Sequence, residues 1–309
     1  MKTRFSHISP LLQLALLTLF IALGVLVATL LTSIAAVSLF DVSVQNTTAI
    51  MSNPHFLRFA QVIQVFCLLL IPSLAFLTLM GNHKDFEQFN YSKNAKVYLL
   101  AVIAILVSQP LIGWSAWLNS TLLNQFPQGE ILIWLNDKEK EMADLTYLFL
   151  NTTQPSVMLV NIVIMAVLPA LFEELLFRGI LQQKLTQWWG NGHLAIFVVA
   201  IIFSAIHMQF LTFIPRFLLG MFLGYLLFWG KSLWLPIVAH FINNFIALIT
   251  FYYQKSQSPD INPISNENVQ VDVWIALLSA ITIAVLMFKL RQYTAELSIK
   301  SQDTSIMEH

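Results

Sequence analysis

The chain alternates long apolar runs with short polar stretches. The first run, PLLQLALLTLFIALGVLVATLLTSIAAVSLF, contains no charged residue and exceeds the roughly 20 residues a helix needs to cross a bilayer. It is too long for a signal-peptide core of about 7–15 residues, so it is expected to be a retained span. Seven further segments bring the expected number of spans to eight: about 11–39, 56–80, 96–117, 156–177, 194–208, 211–229, 233–253 and 272–290. The fifth is short, and is expected either to extend or to enter the bilayer obliquely. Residues 118–155 include LNDKEKEMADLTYLFLNTTQP. Charged and apolar positions alternate there at helical spacing, which predicts an amphipathic helix on the outer face.

Composition agrees with this pattern. Hydrophobic residues make up 57% of the 309 and charged residues only 10%, against about 25% charged in soluble domains. The expected fold class is all-α, a polytopic transmembrane bundle. Zero net charge argues against a nucleic-acid partner. The lone Cys67 excludes an intramolecular disulfide and any metal cluster built on several cysteines. The absence of an internal repeat gives no support to a transporter of the inverted-repeat type. Three regions are expected: 1–155 with three spans and the outer helix, 156–254 as a four-helix core, and 255–309 with the last span and a tail.

Lysine and arginine placement sets the orientation. Lys2, Arg4, Lys84, Lys93, Lys96, Arg178, Lys184, Lys231, Lys289, Arg291 and Lys300 fall on one side of an eight-span map. Arg58, Lys138, Lys140 and Lys255 fall on the other, with Arg216 near a span end. Both termini are therefore expected in the cytoplasm. The Asn-x-Thr matches at Asn46 and Asn151 matter only in a eukaryotic secretory pathway.

Against this background the rare ionisable residues of the C-terminal half stand out, because an intramembrane charge is costly and is a candidate functional group. The fourth span carries LFEELLFRG. Glu174 and Arg178 are four positions apart and share a helix face. Glu173 points about 100° away. Arg178 is thus expected to neutralise Glu174 near the cytoplasmic end of its helix, leaving Glu173 for chemistry; the opposite assignment stays open. Phe203 and His207 share a face at the end of the fifth span, and His240 and Asn244 share one on the seventh. A carboxylate, two imidazoles and a carboxamide on three helices suffice for general acid–base work on water, with neutral donors for an oxyanion. Depth is the difficulty, since this map puts His207 at the outer end of its span. Ser204, Thr212 and Tyr225 read as packing or interface residues, and Gly220-Met-Phe-Leu-Gly224 as a close helix contact.

Glu173-Glu174-Leu-Leu-Phe-Arg178, Phe203-x-x-x-His207 and His240-x-x-x-Asn244 resemble the three ordered motifs of the CPBP family, the CAAX-processing and bacteriocin-immunity intramembrane proteases. The resemblance covers about residues 157–250. It implies a membrane-embedded endopeptidase acting on a membrane peptide or lipidated protein, with Glu173 and His207 activating water and His240 and Asn244 stabilising the oxyanion. Glu174, Arg178 and Phe203 would support them. Zinc is left open: Glu173, His207 and His240 would supply three ligands, although no HExxH helix is present. A bacterial inner-membrane location and cytoplasmic access to the site are expected. The alternatives are a non-proteolytic immunity or scaffold protein and a proton-coupled transporter.

Overall fold

The computed structural model describes residues 8–40, 50–81, 88–90, 94–125, 129–258, 260, 262–264 and 271–307. Lys2, Arg4, Asn46, Lys84 and Lys93, used above, lie outside them. Among the described residues the fold is all-helical, without strands.

The helices begin where the sequence supplies caps. Ser9 accepts from the Leu12 amide ahead of α1, Pro10–Ser38. Asn53 accepts from His55 and Phe56 ahead of α2, Pro54–Met80. Asn94 caps α3, Ala95–Val107, which continues into α4, Gln109–Asn124, through a 41° bend. Pro110 explains the bend, because its ring clashes with the preceding turn and it has no amide to donate. The amphipathic segment forms α5, Glu130–Leu150. It is followed by α6, Pro155–Trp189, and by α7, Gly192–Ala205, capped by Asn191. A tight turn at Phe210–Thr212 leads into α8, Phe213–Gly230. The last two helices are α9, Trp234–Gln257, and α10, Val273–Met307.

Among the described residues six helices are long and apolar enough to cross a membrane, or seven if the bent α3–α4 pair is one span. The short apolar α7 stands apart. Its 14 residues reach about 21 Å at 1.5 Å per residue, less than a bilayer core of about 30 Å. It neither extends to a full span nor needs to, because it packs as a hairpin with α8. Small residues permit this contact: a Cβ on Gly220 would meet Ala200 at 3.0 Å, and one on Gly224 would meet Ile196 at 2.8 Å.

The main departure from expectation is α6. The fourth span was expected to end near 177, but the helix runs through the charged motif to Trp189 and stops at Gly190 with φ 65°. Glu173 therefore lies about 24 Å of helix before the C-terminal end, and Arg178 is well inside the helix. The helix continues through this motif, where Glu174 and Arg178 pair with each other, with His240 and with the Gly220 carbonyl. Two stretches of α6, Val163–Val167 and Leu175–Gln182, are wound as π-helix, a widening often found at functional sites. The second contains Arg178.

The bundle has two distinct ends. Leu233 donates its amide to the Gln88 carbonyl, Ser232 bonds the Asn90 carbonyl, and Asn94 bonds the Tyr293 hydroxyl. This end carries Lys96, Lys231 and Arg291. At the other end Arg58 donates to the Phe149 carbonyl and to Asn161, and Lys255 to the Tyr147 hydroxyl. These bonds tie α5 to α2, α6 and α9.

Candidate active site

The energetic question posed by two glutamates and an arginine in an apolar helix is answered by α6, α8 and α9 together. Arg178 Nη1 donates to Glu174 Oε1 at 2.8 Å, and both side chains are fully buried. Arg178 Nη2 donates to the Gly220 carbonyl of α8 at 3.2 Å. The same Glu174 oxygen meets His240 Nδ1 at 2.7 Å. The carboxylate thus sits between two cation-capable groups from different turns and helices. A charge at this depth is tolerable only when paired and hydrogen-bonded in this manner.

Glu173 occupies the neighbouring face. Its Oε2 lies 3.9 Å from His240 Nε2, too far for a hydrogen bond but close enough to flank a bound group. His240 therefore bridges the two glutamates, Nδ1 to Glu174 and Nε2 toward Glu173. Because Nδ1 gives its proton to a carboxylate, Nε2 can donate to an oxyanion only when the ring carries both protons.

His207 comes from the turn after α7. Its Nδ1 lies 2.7 Å from the Phe203 carbonyl, an acceptor, so Nδ1 holds the proton and Nε2 is left as a base. The short α7 ends beside the cluster, where the His207 ring packs on Phe203. Phe203 joins the parts. Its ring centre is 5.1 Å from that of His207, 6.0 Å from that of His240 and 4.6 Å from the Arg178 guanidinium carbon. It thus packs between the two histidines and also provides a cation–π surface for the arginine.

Asn244 donates Nδ2 to the Met165 carbonyl at 3.3 Å, and its Oδ1 accepts from Asn243 Nδ2 at 3.3 Å. Gln109 Nε2 reaches Asn243 Oδ1 at 3.5 Å. Asn244 is therefore held by α6 and by a chain of amides ending at the α3–α4 bend. Gln109 was missed from sequence, although a glutamine beside a proline inside an apolar span was a visible signal.

The His207 turn is held by a second polar group. Glu139 of α5 accepts from the Leu211 amide and the Thr212 hydroxyl, each at 3.3 Å. Arg216 donates to the Thr212 hydroxyl at 2.8 Å, to the Gln209 carbonyl at 3.1 Å and to the Gln209 side chain. Asn119 of α4 donates to the Phe210 carbonyl and accepts from the Ile214 amide. Ser204 bonds the Phe213 carbonyl at 2.7 Å. Ser204 and Thr212 are thus more than packing residues, since both fix the loop that carries His207. Burial raises the Glu139 carboxyl above the ordinary carboxylate range, and nearby Arg216 opposes that shift.

Residues 155–246 match the family model described as type II CAAX prenyl endopeptidase Rce1-like. The matched stretch contains every motif position from Glu173 to Asn244, so the resemblance read from the three motifs holds over this segment. Among curated proteins, the uncharacterized protein YpbD of Bacillus subtilis (strain 168) is 33% identical over 86 residues, 26% of this chain and 41% of the relative. The chain thus spans about two fifths (41%) of that relative's length. No solved structure matches.

Proposed function

We propose that the protein is an intramembrane endopeptidase that hydrolyses a peptide bond of a membrane-associated or lipidated substrate. Glu173 takes one proton of a water molecule as it attacks the scissile carbonyl, while His207 Nε2 accepts a hydrogen bond from the water's other hydrogen. His240 Nε2 and the Asn244 amide face the oxyanion, and the proton then passes to the leaving amine. Glu174 and Arg178 do not touch substrate. They hold the His240 ring and neutralise the buried charge. Asn244 must exchange its bond to the Met165 carbonyl for one to the oxyanion.

The observation that carries this reading is the division of labour between adjacent carboxylates. Glu174 is consumed by Arg178 and His240, whereas among the described residues no hydrogen bond ties Glu173, which faces His240 Nε2 at 3.9 Å. The Rce1-like match over residues 155–246 supports the reaction class.

Zinc fits this arrangement less well. Among the described residues no group of three or more His, Cys, Asp or Glu side chains is arranged to hold a metal ion. The reaction is therefore written without one. The test is cleavage of a membrane-peptide library by purified protein in detergent or liposomes, comparing wild type with Glu173→Gln. Loss of cleavage in a folded variant supports the proposal. Undiminished biological activity in Glu173→Gln and His207→Ala would instead identify a scaffold, and Glu173-dependent proton flux in liposomes a transporter.

A further inference from the structure

A second cluster of cationic side chains lies apart from the Glu173 site, where α7, α8 and α10 meet. His193, Phe228, Trp229, Lys231, Arg291 and Thr294 line a cavity of about 300 Å³ there. The Lys231 ammonium lies 4.9 Å from the centre of the Phe228 ring, and the Arg291 guanidinium carbon 6.0 Å from that of Trp229. Both charges thus rest on aromatic faces. Among the described residues no carboxylate lines the cavity or lies within ion-pair distance of either cation. His193 Nδ1 lies 3.0 Å from the Tyr225 hydroxyl. When that hydroxyl donates, Nε2 carries the ring proton and is a further donor. The cavity therefore gathers two fixed positive charges and an imidazole N–H.

Lys231 also occupies a backbone position that does not favour it. It closes α8 with φ 54°, in the left-handed region, which among the described residues with a side chain only Met208 shares. Glycine is the usual residue at such a helix end, and Gly190 fills the same place after α6. A lysine held there against its backbone preference points to a use for its ammonium.

The surroundings fit an amphiphile better than a soluble anion. Both α8 and α10 are long and apolar enough to cross a membrane, and Lys231 and Arg291 stand at or near the ends of those apolar stretches. Tyr225 stacks on Trp229 at 4.7 Å, and tyrosine and tryptophan gather at the membrane–water boundary. From His193 a row at four-residue spacing runs along α7 through Phe197 and Ile201, both exposed. Phe288, also exposed, lies three positions before Arg291 on α10. Charge at the mouth is thus followed by apolar side chains toward the membrane interior. Basic pockets between membrane helices are suited to phospholipid head groups.

We propose that this cavity binds the phosphate of an anionic phospholipid, with Lys231, Arg291 and His193 around the phosphate oxygens and the acyl chains along Phe197, Ile201 and Phe288. The site does not depend on the endopeptidase reading.

Native mass spectrometry of the purified full chain tests it, with phosphatidylglycerol, phosphatidylcholine or inorganic phosphate added in turn. Wild type should retain one phosphatidylglycerol in preference to phosphatidylcholine, whose choline cation opposes the two charges. Lys231→Gly should keep its melting temperature, since glycine suits φ 54°, and Arg291→Gln should do the same. Each should lower phosphatidylglycerol affinity roughly fivefold, the effect of one basic side chain near an anionic membrane surface. If Lys231→Gly does not fold, Arg291→Gln reads the same loss. Lys96→Gln removes a charge at the same end outside the cavity and should bind as wild type does. An equal loss in Lys96→Gln, or wild-type affinity in the cavity variants, would overturn the proposal. Displacement of the lipid by millimolar inorganic phosphate would overturn the lipid assignment and make a soluble anion the ligand.

Discussion

Glu173 and Glu174 are adjacent in sequence, and their environments predict opposite consequences of mutation. Replacing Glu173 with glutamine keeps the shape and removes a base; losing a positioned acid–base group lowers turnover by about 10²–10⁴-fold. Its unfolding midpoint in detergent should match wild type. Arg178→Ala leaves the fully buried Glu174 without its 2.8 Å partner, and breaking a buried pair on one side costs about 3–5 kcal/mol. That variant should aggregate or melt early, as seen by size exclusion and thermal scans. Equal stability losses in both variants would contradict the assigned roles. Asn244→Ala removes an oxyanion donor and should lower kcat by about 10²–10³-fold, with less change in KM.

Among the helices, α5 and α7 do the unexpected work. A turn that carries a candidate base must be held, and Glu139 and Asn119 hold it from α5 and α4 by four hydrogen bonds. Glu139→Ala is expected to lower turnover while α6 through α9 remain folded; hydrogen exchange should rise at 208–213 and not at 195–203. Uniformly raised exchange would assign Glu139 to general stability. Asn119→Ala strands a half-buried carbonyl and a half-buried amide, at a cost toward the lower end of about 1–3 kcal/mol each, and should show the same local effect. These roles were hard to read from sequence because the residues lie 72 and 95 positions from their partners. Only tertiary packing brings them together. The Glu174–Arg178 pair, by contrast, was legible, since a local helix face relates positions four apart.

For the molecule as a whole, the apolar runs were a reliable guide to the helices, because period and length are local properties. Depth was not. The hydropathy boundary at 177 was misleading: Glu173, Glu174 and Arg178 lower the apolar character of a helix in which Glu174 and Arg178 pair with each other and with α8 and α9, so α6 continues to Trp189. Similarly, the short α7 ends where His207 packs on Phe203, which also packs on His240 of α9. The bundle thus buries Glu174 and Arg178 and leaves Glu173 and His207 partly accessible.

The central claim is that Glu173 is the carboxylate that activates water. It is tested most directly by cleavage assays on purified wild type and Glu173→Gln, each with and without a strong chelator. The account predicts cleavage by wild type under both conditions and none by the variant under either. Full activity in Glu173→Gln, or wild-type activity abolished by chelator and restored by zinc, would contradict it.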